Sequence, residues 1–188
     1  MTSELMTTAL RLLARGAPVP LGELAATAGV AVADVDNAPG ARDIEYDDEG
    51  RIVGWGLTLV PTPHAFIVDG HRLYTWCAAD TLLFPAIIGS RALVESRCPA
   101  TDVMIRLTVD PRDGVSDLSP ANAVISIPGD LDAVQLRDSC CRPGHFFASA
   151  EAAADWRAQY PTGTVLPIAV AYPRLQSISE LLFSPPST

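Results

Sequence analysis

Residues 64–89 read HAFIVDGHRLYTWCAADTLLFPAIIG. HAFIV and HRLYT have the short, alternating, β-branched and aromatic pattern of paired strands. Asp69-Gly70 between them is a dipeptide suited to a tight hairpin turn. The second strand runs directly into CAADTLLFPAIIG, an alanine- and leucine-rich run that reads as a helix interrupted or kinked at Pro85. Antiparallel strands followed by a helix point to an α+β fold rather than to a parallel sheet.

Working outward, the pattern from about residue 61 is mostly short strands. RALVESRC (91–98) and DVMIRLTVD (102–110) alternate and are predicted to pair, and NAVISIP (122–128) is a further strand. LDAVQLRDSC (131–140) is a short helix candidate and HFFAS (145–149) a strand. SAEAAADWRAQY (149–160) reads as a helix with Ser149 as N-cap. TVLPIAVAY (164–172) reads as a last strand, and the proline-rich end FSPPST is expected to fray. Upstream, residues 3–14 form an amphipathic helix on Leu5, Leu10, Leu12 and Leu13, stopped by Gly16. A second helix spans 20–30, AVADVDNAPG (31–40) offers a third, and DIEYDDEGRIVGWGLTLV (43–60) a hairpin around DDEG. The organisation expected is a winged-helix-like N-terminal region over 1–60, followed by a strand-rich catalytic region with flanking helices over 61–188.

Helices followed by a hairpin raise the possibility of DNA binding, which needs basic or amide side chains on a recognition helix. The candidate helix instead presents Asp34 and Asp36, with Asn37 and no basic residue. The net charge of −9 also disfavours nucleic acid and anionic membrane surfaces. All thirteen basic residues are arginine, so Schiff-base, P-loop and kinase-type lysine chemistries are excluded. With 48% hydrophobic residues the 188-residue chain can build a core without staples, and four cysteines are too sparse for a disulfide scaffold. MTSELMTTALRLLARG lacks the long apolar stretch of an export signal, and TLLFPAIIG is too short to span a bilayer. A cytoplasmic, reducing location with free thiols is the expectation.

Those thiols carry the candidate chemistry. In YTWCAAD, Cys77 and Asp80 lie three apart, so on a helix they share a face. At the first turn the helix dipole would lower the Cys77 pKa. A thiolate beside a carboxyl that can hold a proton is a nucleophile or metal ligand beside an acid. Cys140 and Cys141 are adjacent in RDSCCRPGHFF. Neighbouring Cα atoms lie about 3.8 Å apart, whereas a relaxed disulfide needs roughly 4.4–6.8 Å, which argues against a bond between them. Cys98, before Pro99 and without a nearby acid or histidine, reads as packing. Zinc-type paired cysteines and a redox C-x-x-C are both missing, and His145 four residues after Cys141 lacks the companions of a papain-like site. What survives is a soft-metal site of two or three distant cysteines and one aspartate.

The run from Glu45 to Gly89, EYDDEGRIVGWGLTLVPTPHAFIVDGHRLYTWCAADTLLFPAIIG, closely resembles the bacterial alkylmercury lyases. FFAS followed by DW resembles the family's segment after its second catalytic cysteine. The resemblance is dense over about 44–110 and 136–157, and thin over 112–135 and beyond 170. It implies protonolysis of a carbon–mercury bond to a hydrocarbon and Hg(II), without a cofactor, with the metal passed on to mercuric reductase. Cys77 and Asp80 match the family's C-x-x-D positions. Counting back from Phe146 and forward from Arg137 both assign the second cysteine to Cys141, leaving Cys140 as an auxiliary thiol. In this reading Cys77, Cys141 and Asp80 hold mercury and Asp80 shuttles the proton, with Trp76 as a candidate dry wall. The alternative is a non-catalytic thiol protein that binds or senses heavy metals. A redox-regulated structural protein would instead show a disulfide at Cys140–Cys141 or Cys77–Cys141.

Overall fold

The computed structural model describes residues 2–129 and 137–183. Three N-terminal helices, α1 (Thr2–Leu13), α2 (Leu21–Ala28) and α3 (Val32–Asp36), precede a long antiparallel sheet. Its strands are β1 (Glu45–Tyr46), β2 (Ile52–Trp55), β3 (Leu57–Thr58), β4 (His64–Val68), β5 (His71–Thr75), β6 (Ala92–Arg97), β7 (Met104–Asp110) and β8 (Gly114–Ser119), in the spatial order β1-β2-β3-β5-β4-β6-β7-β8. A second, smaller sheet has the order β10-β9-β11, from β9 (Val124–Ile127), β10 (Phe146–Phe147) and β11 (Thr164–Pro167). The α+β class follows directly.

The quoted stretch folds as its pattern predicts. β4 and β5 pair in register from His64↔Thr75 to Val68↔His71. Asp69 and Gly70 both take positive φ (49° and 83°), the twist-matched hairpin turn that a β-branched residue would resist. The DDEG turn closes through the Asp47 carboxylate, which accepts N–H bonds from Glu49 and Arg51. β3 pairs with β5, so the N-terminal hairpin and the strands after residue 60 share one sheet.

α4 (Ala78–Ile88) is central. It is apolar almost all round, with Ala78, Leu82, Phe84 and Ile87 buried, as a helix enclosed by other elements must be. It packs on α1, on β6 and β7, and on α6 (Ile168–Phe183). Arg11 reaches from α1 to the Ile87 carbonyl (3.1 Å), satisfying one acceptor at the helix end. On β6 and β7, Ala92, Val94, Ile105, Leu107 and Val109 turn into the core while Leu93 and Arg97 face out.

The last predicted strand is corrected. TVLPIAVAY is extended only to Pro167, and α6 starts at Ile168. Buried Ile168, Ala171 and Leu175 recur at three- and four-residue steps, a helical face that an alternation reading mistakes for strand. The helix expected from Ser149 also starts late, as α5 (Ala154–Gln159), and Ser149 caps the turn before it by accepting the Ala152 N–H. β8 was not anticipated: it is an edge strand with no fully buried residue, and so lacks hydrophobic alternation. Of the helix candidate at 131–140 only a π-helical turn, Arg137–Cys141, is described; residues 131–136 lie outside the described residues, as do 184–188 of the proline-rich end.

Candidate active site

Cys77 is the N-cap of α4, with extended backbone (φ −142°, ψ 170°). Its thiol accepts the Asp80 N–H, and the Asp80 carboxylate accepts the Cys77 N–H at 3.2 Å. The C-x-x-D spacing is therefore a reciprocal capping box with cysteine in place of serine. It satisfies two otherwise orphaned donors and aims both side chains at the same space. Thr75 steadies the approach by donating to the Cys77 carbonyl at 2.9 Å.

Cys141 arrives from the other side. It closes the π-helical turn, in which the Arg142 N–H reaches back to the Arg137 carbonyl (2.9 Å). The loop after it is tied down residue by residue. Trp156 donates its indole N–H to the Pro143 carbonyl at 2.7 Å, and Ser126 on β9 accepts the His145 N–H at 2.9 Å. The Gly144 carbonyl accepts the Ala78 N–H at 3.1 Å, joining this loop to the first turn of α4. A Cβ on Gly144 would stand 3.3 Å from the Cys77 Cβ and 3.0 Å from the Cys140 carbonyl, so a larger residue here would press on both segments.

The result brings the Cys77 sulfur, the Cys141 sulfur and an Asp80 carboxylate oxygen within 4.8 Å of one another. Cys77 and Cys141 are 2% and 7% exposed. Burial pushes the Asp80 carboxyl up to about 7, against which its hydrogen bonds from Cys77 act. The expectation of a dipole-lowered Cys77 is reversed. A hydrogen bond with Cys141 favours its thiolate, but burial and the Asp80 and Cys140 charges outweigh it and raise the pKa. The Cys141 pKa is raised too, first by its hydrogen bonds with Cys140 and Cys77 and then by burial. Cys140, half-buried, is drawn the other way by the hydrogen bond from Cys141. All four cysteines are free.

Cys98 lies outside this cluster and is buried at a tight turn. Burial raises its pKa, yet hydrogen bonds with the Thr101 hydroxyl and the backbone of Ala148, Ala100 and Thr101 leave it lowered. Trp76 is half-buried beside Cys77, with the Arg137 guanidinium 4.3 Å over its ring. Arg137 in turn pairs with Glu45 at 2.5 Å, and Glu45 accepts the Thr58 hydroxyl at 2.5 Å. The sequence reading passed over Glu45, Ser126 and Trp156 as site supports. No spacing marks them, since each acts on a residue distant in the chain.

The alkylmercury lyase family model matches residues 57–177, and that of the helix-turn-helix domain of alkylmercury lyase matches residues 1–56. The alkylmercury lyase of Staphylococcus epidermidis is 46% identical over 164 residues, covering 87% of this chain and 76% of that protein. The alkylmercury lyase of Streptomyces lividans is 46% identical over 176 residues, covering 93% and 81%. That of Pseudomonas putida is 45% identical over 174 residues, covering 90% and 80%. A crystal structure of the mercury-bound form of MerB2 shares the fold with a TM-score of 0.76 at 22% identity, covering 98% of this chain and all of that one. With family models running from residue 1 to 177 and relatives identical at nearly half the aligned positions, the chain belongs to the alkylmercury lyase family.

Proposed function

We propose that this protein is an organomercurial lyase that cleaves the carbon–mercury bond of alkyl- and arylmercury compounds by protonolysis. The observation that carries the reading is the meeting of two buried thiols with a carboxyl whose pKa lies near 7, all within 4.8 Å.

The three side chains account for every ligand and proton. An organomercury cation exchanges from a small thiol onto one of the two cysteines. The second cysteine gives its proton to the Asp80 carboxylate and its sulfur to mercury. Electron density from two sulfurs weakens the carbon–mercury bond. As that bond breaks, its electron pair stays with carbon and Asp80 returns the proton there. A hydrocarbon leaves, and Hg(II) stays on Cys77 and Cys141 with the Asp80 carboxylate beside it. A carboxyl with a pKa near 7 can both take and give a proton at neutral pH. No cofactor is required in this scheme. Two incoming small thiols release the metal, and mercuric reductase is the acceptor we assign. Cys140 is an auxiliary thiol, outside the bond-cleaving trio.

We place the reaction in the catalytic region 61–188 and the protein in the cytoplasm, where its free thiols stay reduced. Among the described residues no helix is long and apolar enough to cross a membrane. We assign no nucleic-acid role to the winged-helix-like region 1–60, because α3 carries Asp34 and Asp36 and no basic residue. A purely metal-binding role would use Asp80 as a ligand and helix cap but would leave its capacity to exchange a proton near neutral pH unused. Incubation with methylmercury and excess small thiol tests the reading: methane and Hg(II) are expected, and their absence with folded, reduced protein overturns it.

A further inference from the structure

His64 and Ser96 lie behind the site, with His64 only 1% exposed and Ser96 fully buried. They face each other across β4 and β6 in register, with Nδ1 of His64 2.8 Å from the Ser96 hydroxyl. The Gly144 backbone lies within reach of the His64 ring and acts on it as a hydrogen-bonding neighbour. The ring stacks on His145 at 5.7 Å and meets Phe146 edge-on at 6.2 Å, so it packs along the whole 144–146 segment. A carbonyl can only accept, so the ring nitrogen facing Gly144 carries the proton. With Nδ1 occupied by Ser96, that nitrogen is Nε2, and Nδ1 accepts the serine hydroxyl. Burial holds the ring neutral, with its pKa down at about 3, so it stays uncharged through the physiological range.

The Gly144 carbonyl accepts the Ala78 N–H, one residue after Cys77, and has the His64 ring, anchored in the large sheet, beside it. It is the point at which the two cysteine-bearing segments are fastened together. We infer that His64, held in one tautomer by Ser96, is a positioning residue that sets the gap between Cys77 and Cys141 through the Gly144 carbonyl. The inference rests on the lyase reading and adds a residue to it that never touches mercury. Two sulfurs must reach one metal atom, and small errors in placement are costly to such a step.

Three variants test it. His64→Phe keeps a ring and removes the donor, His64→Gln returns an amide N–H near the Nε2 position, and Ser96→Ala frees the ring to take the other tautomer. Each is followed by steady-state methane release from methylmercury, and by cross-linking of Cys77 to Cys141 with a short bis-alkylating thiol reagent mapped by mass spectrometry. For His64→Phe we expect kcat to fall about tenfold or more, with KM moving less than about threefold, and the cross-link to form correspondingly more slowly. His64→Gln is expected to recover most of both, and Ser96→Ala to fall between. Wild-type kcat and cross-linking in His64→Phe would overturn the inference, as would a folded His64→Gln no better than His64→Phe. If His64→Phe does not fold, Ser96→Ala decides: unchanged kcat and cross-linking overturn it. Cross-linking uses no organomercurial, so a wild type that makes no methane fails the lyase reading alone and leaves His64 to be judged by the cross-link.

Discussion

Cys77 and Cys141 reach the same space from two different kinds of chain. Cys77 belongs to a local device: a strand, a cap and a helix, with Asp80 brought alongside by the capping box. The contacts from Thr75 and Asp80 that aim it lie within a few residues. Cys141 sits on a π-helical turn and a loop whose course is set by Ser126, Trp156, Ala78 and His64, none of them its neighbours in sequence. One half of the site is thus written in a motif and the other is delivered by the fold. The first half should tolerate disturbance of distant residues, and the second should not.

The sharpest tests exchange the sulfurs themselves. Cys77→Ser and Cys141→Ser should each abolish methane release from methylmercury, to below about a thousandth of wild type, since neither hydroxyl replaces a thiolate for a soft metal. If Cys140→Ser is the dead variant and Cys141→Ser the active one, the delivered half of the site has been assigned one residue out of place.

Asp80→Asn should separate binding from chemistry. Ultraviolet sulfur-to-mercury absorption should show that Hg(II) still binds both cysteines, while hydrocarbon release falls by about 10²–10⁴-fold, as loss of a positioned proton carrier implies. The same substitution should alter stability against pH. The Asp80 pKa is raised from 3.8 to about 7, so between those values the folded state holds a proton that the unfolded chain has lost. Stability should fall as pH rises through that window, and denaturant titrations of Asp80→Asn should lose that part of the slope.

The delivered half can be loosened without touching a sulfur. Ser126→Ala removes the acceptor for the His145 N–H and leaves that N–H buried, which should cost about 1–3 kcal/mol in denaturant unfolding. Hydrocarbon release per folded molecule should also drop. Thr75→Val, on the local side, should cost comparable stability but leave kcat nearer wild type, because the capping box still aims Cys77. Equal losses of kcat in the two variants would erase the distinction between the halves.

The smallest effect is expected at Cys140→Ser. Half-buried and outside the cluster, Cys140 should change methane release by less than about threefold if only Cys77, Asp80 and Cys141 do the chemistry.

Much of this molecule was legible before any coordinates. The β4–β5 hairpin and α4 were readable because their signals are local: alternation, an Asp-Gly turn, an apolar run. The C-x-x-D pair was readable for the same reason, since three residues is the reach of a helix cap. β8 and α6 were missed where local pattern fails, in a polar edge strand and in a helix whose buried face looked like alternation. The reversed Cys77 pKa was not legible either. A helix N-terminus is visible in sequence, whereas the desolvation and charges that outweigh it come from the elements packed around it.

The sequence by itself determined the chemical types: two thiols, one carboxyl, and a spacing that makes Cys77 and Asp80 one unit. Counting from Arg137 and Phe146 could favour Cys141 over Cys140, but a side chain's direction depends on the turn it rides on. Only the tertiary structure decided that Cys141 points at Cys77, because that direction is set by a π-helical turn and by donors and acceptors on β4, β9, α4 and α5. Those bonds span distant positions in the chain, and only folding closes such distances.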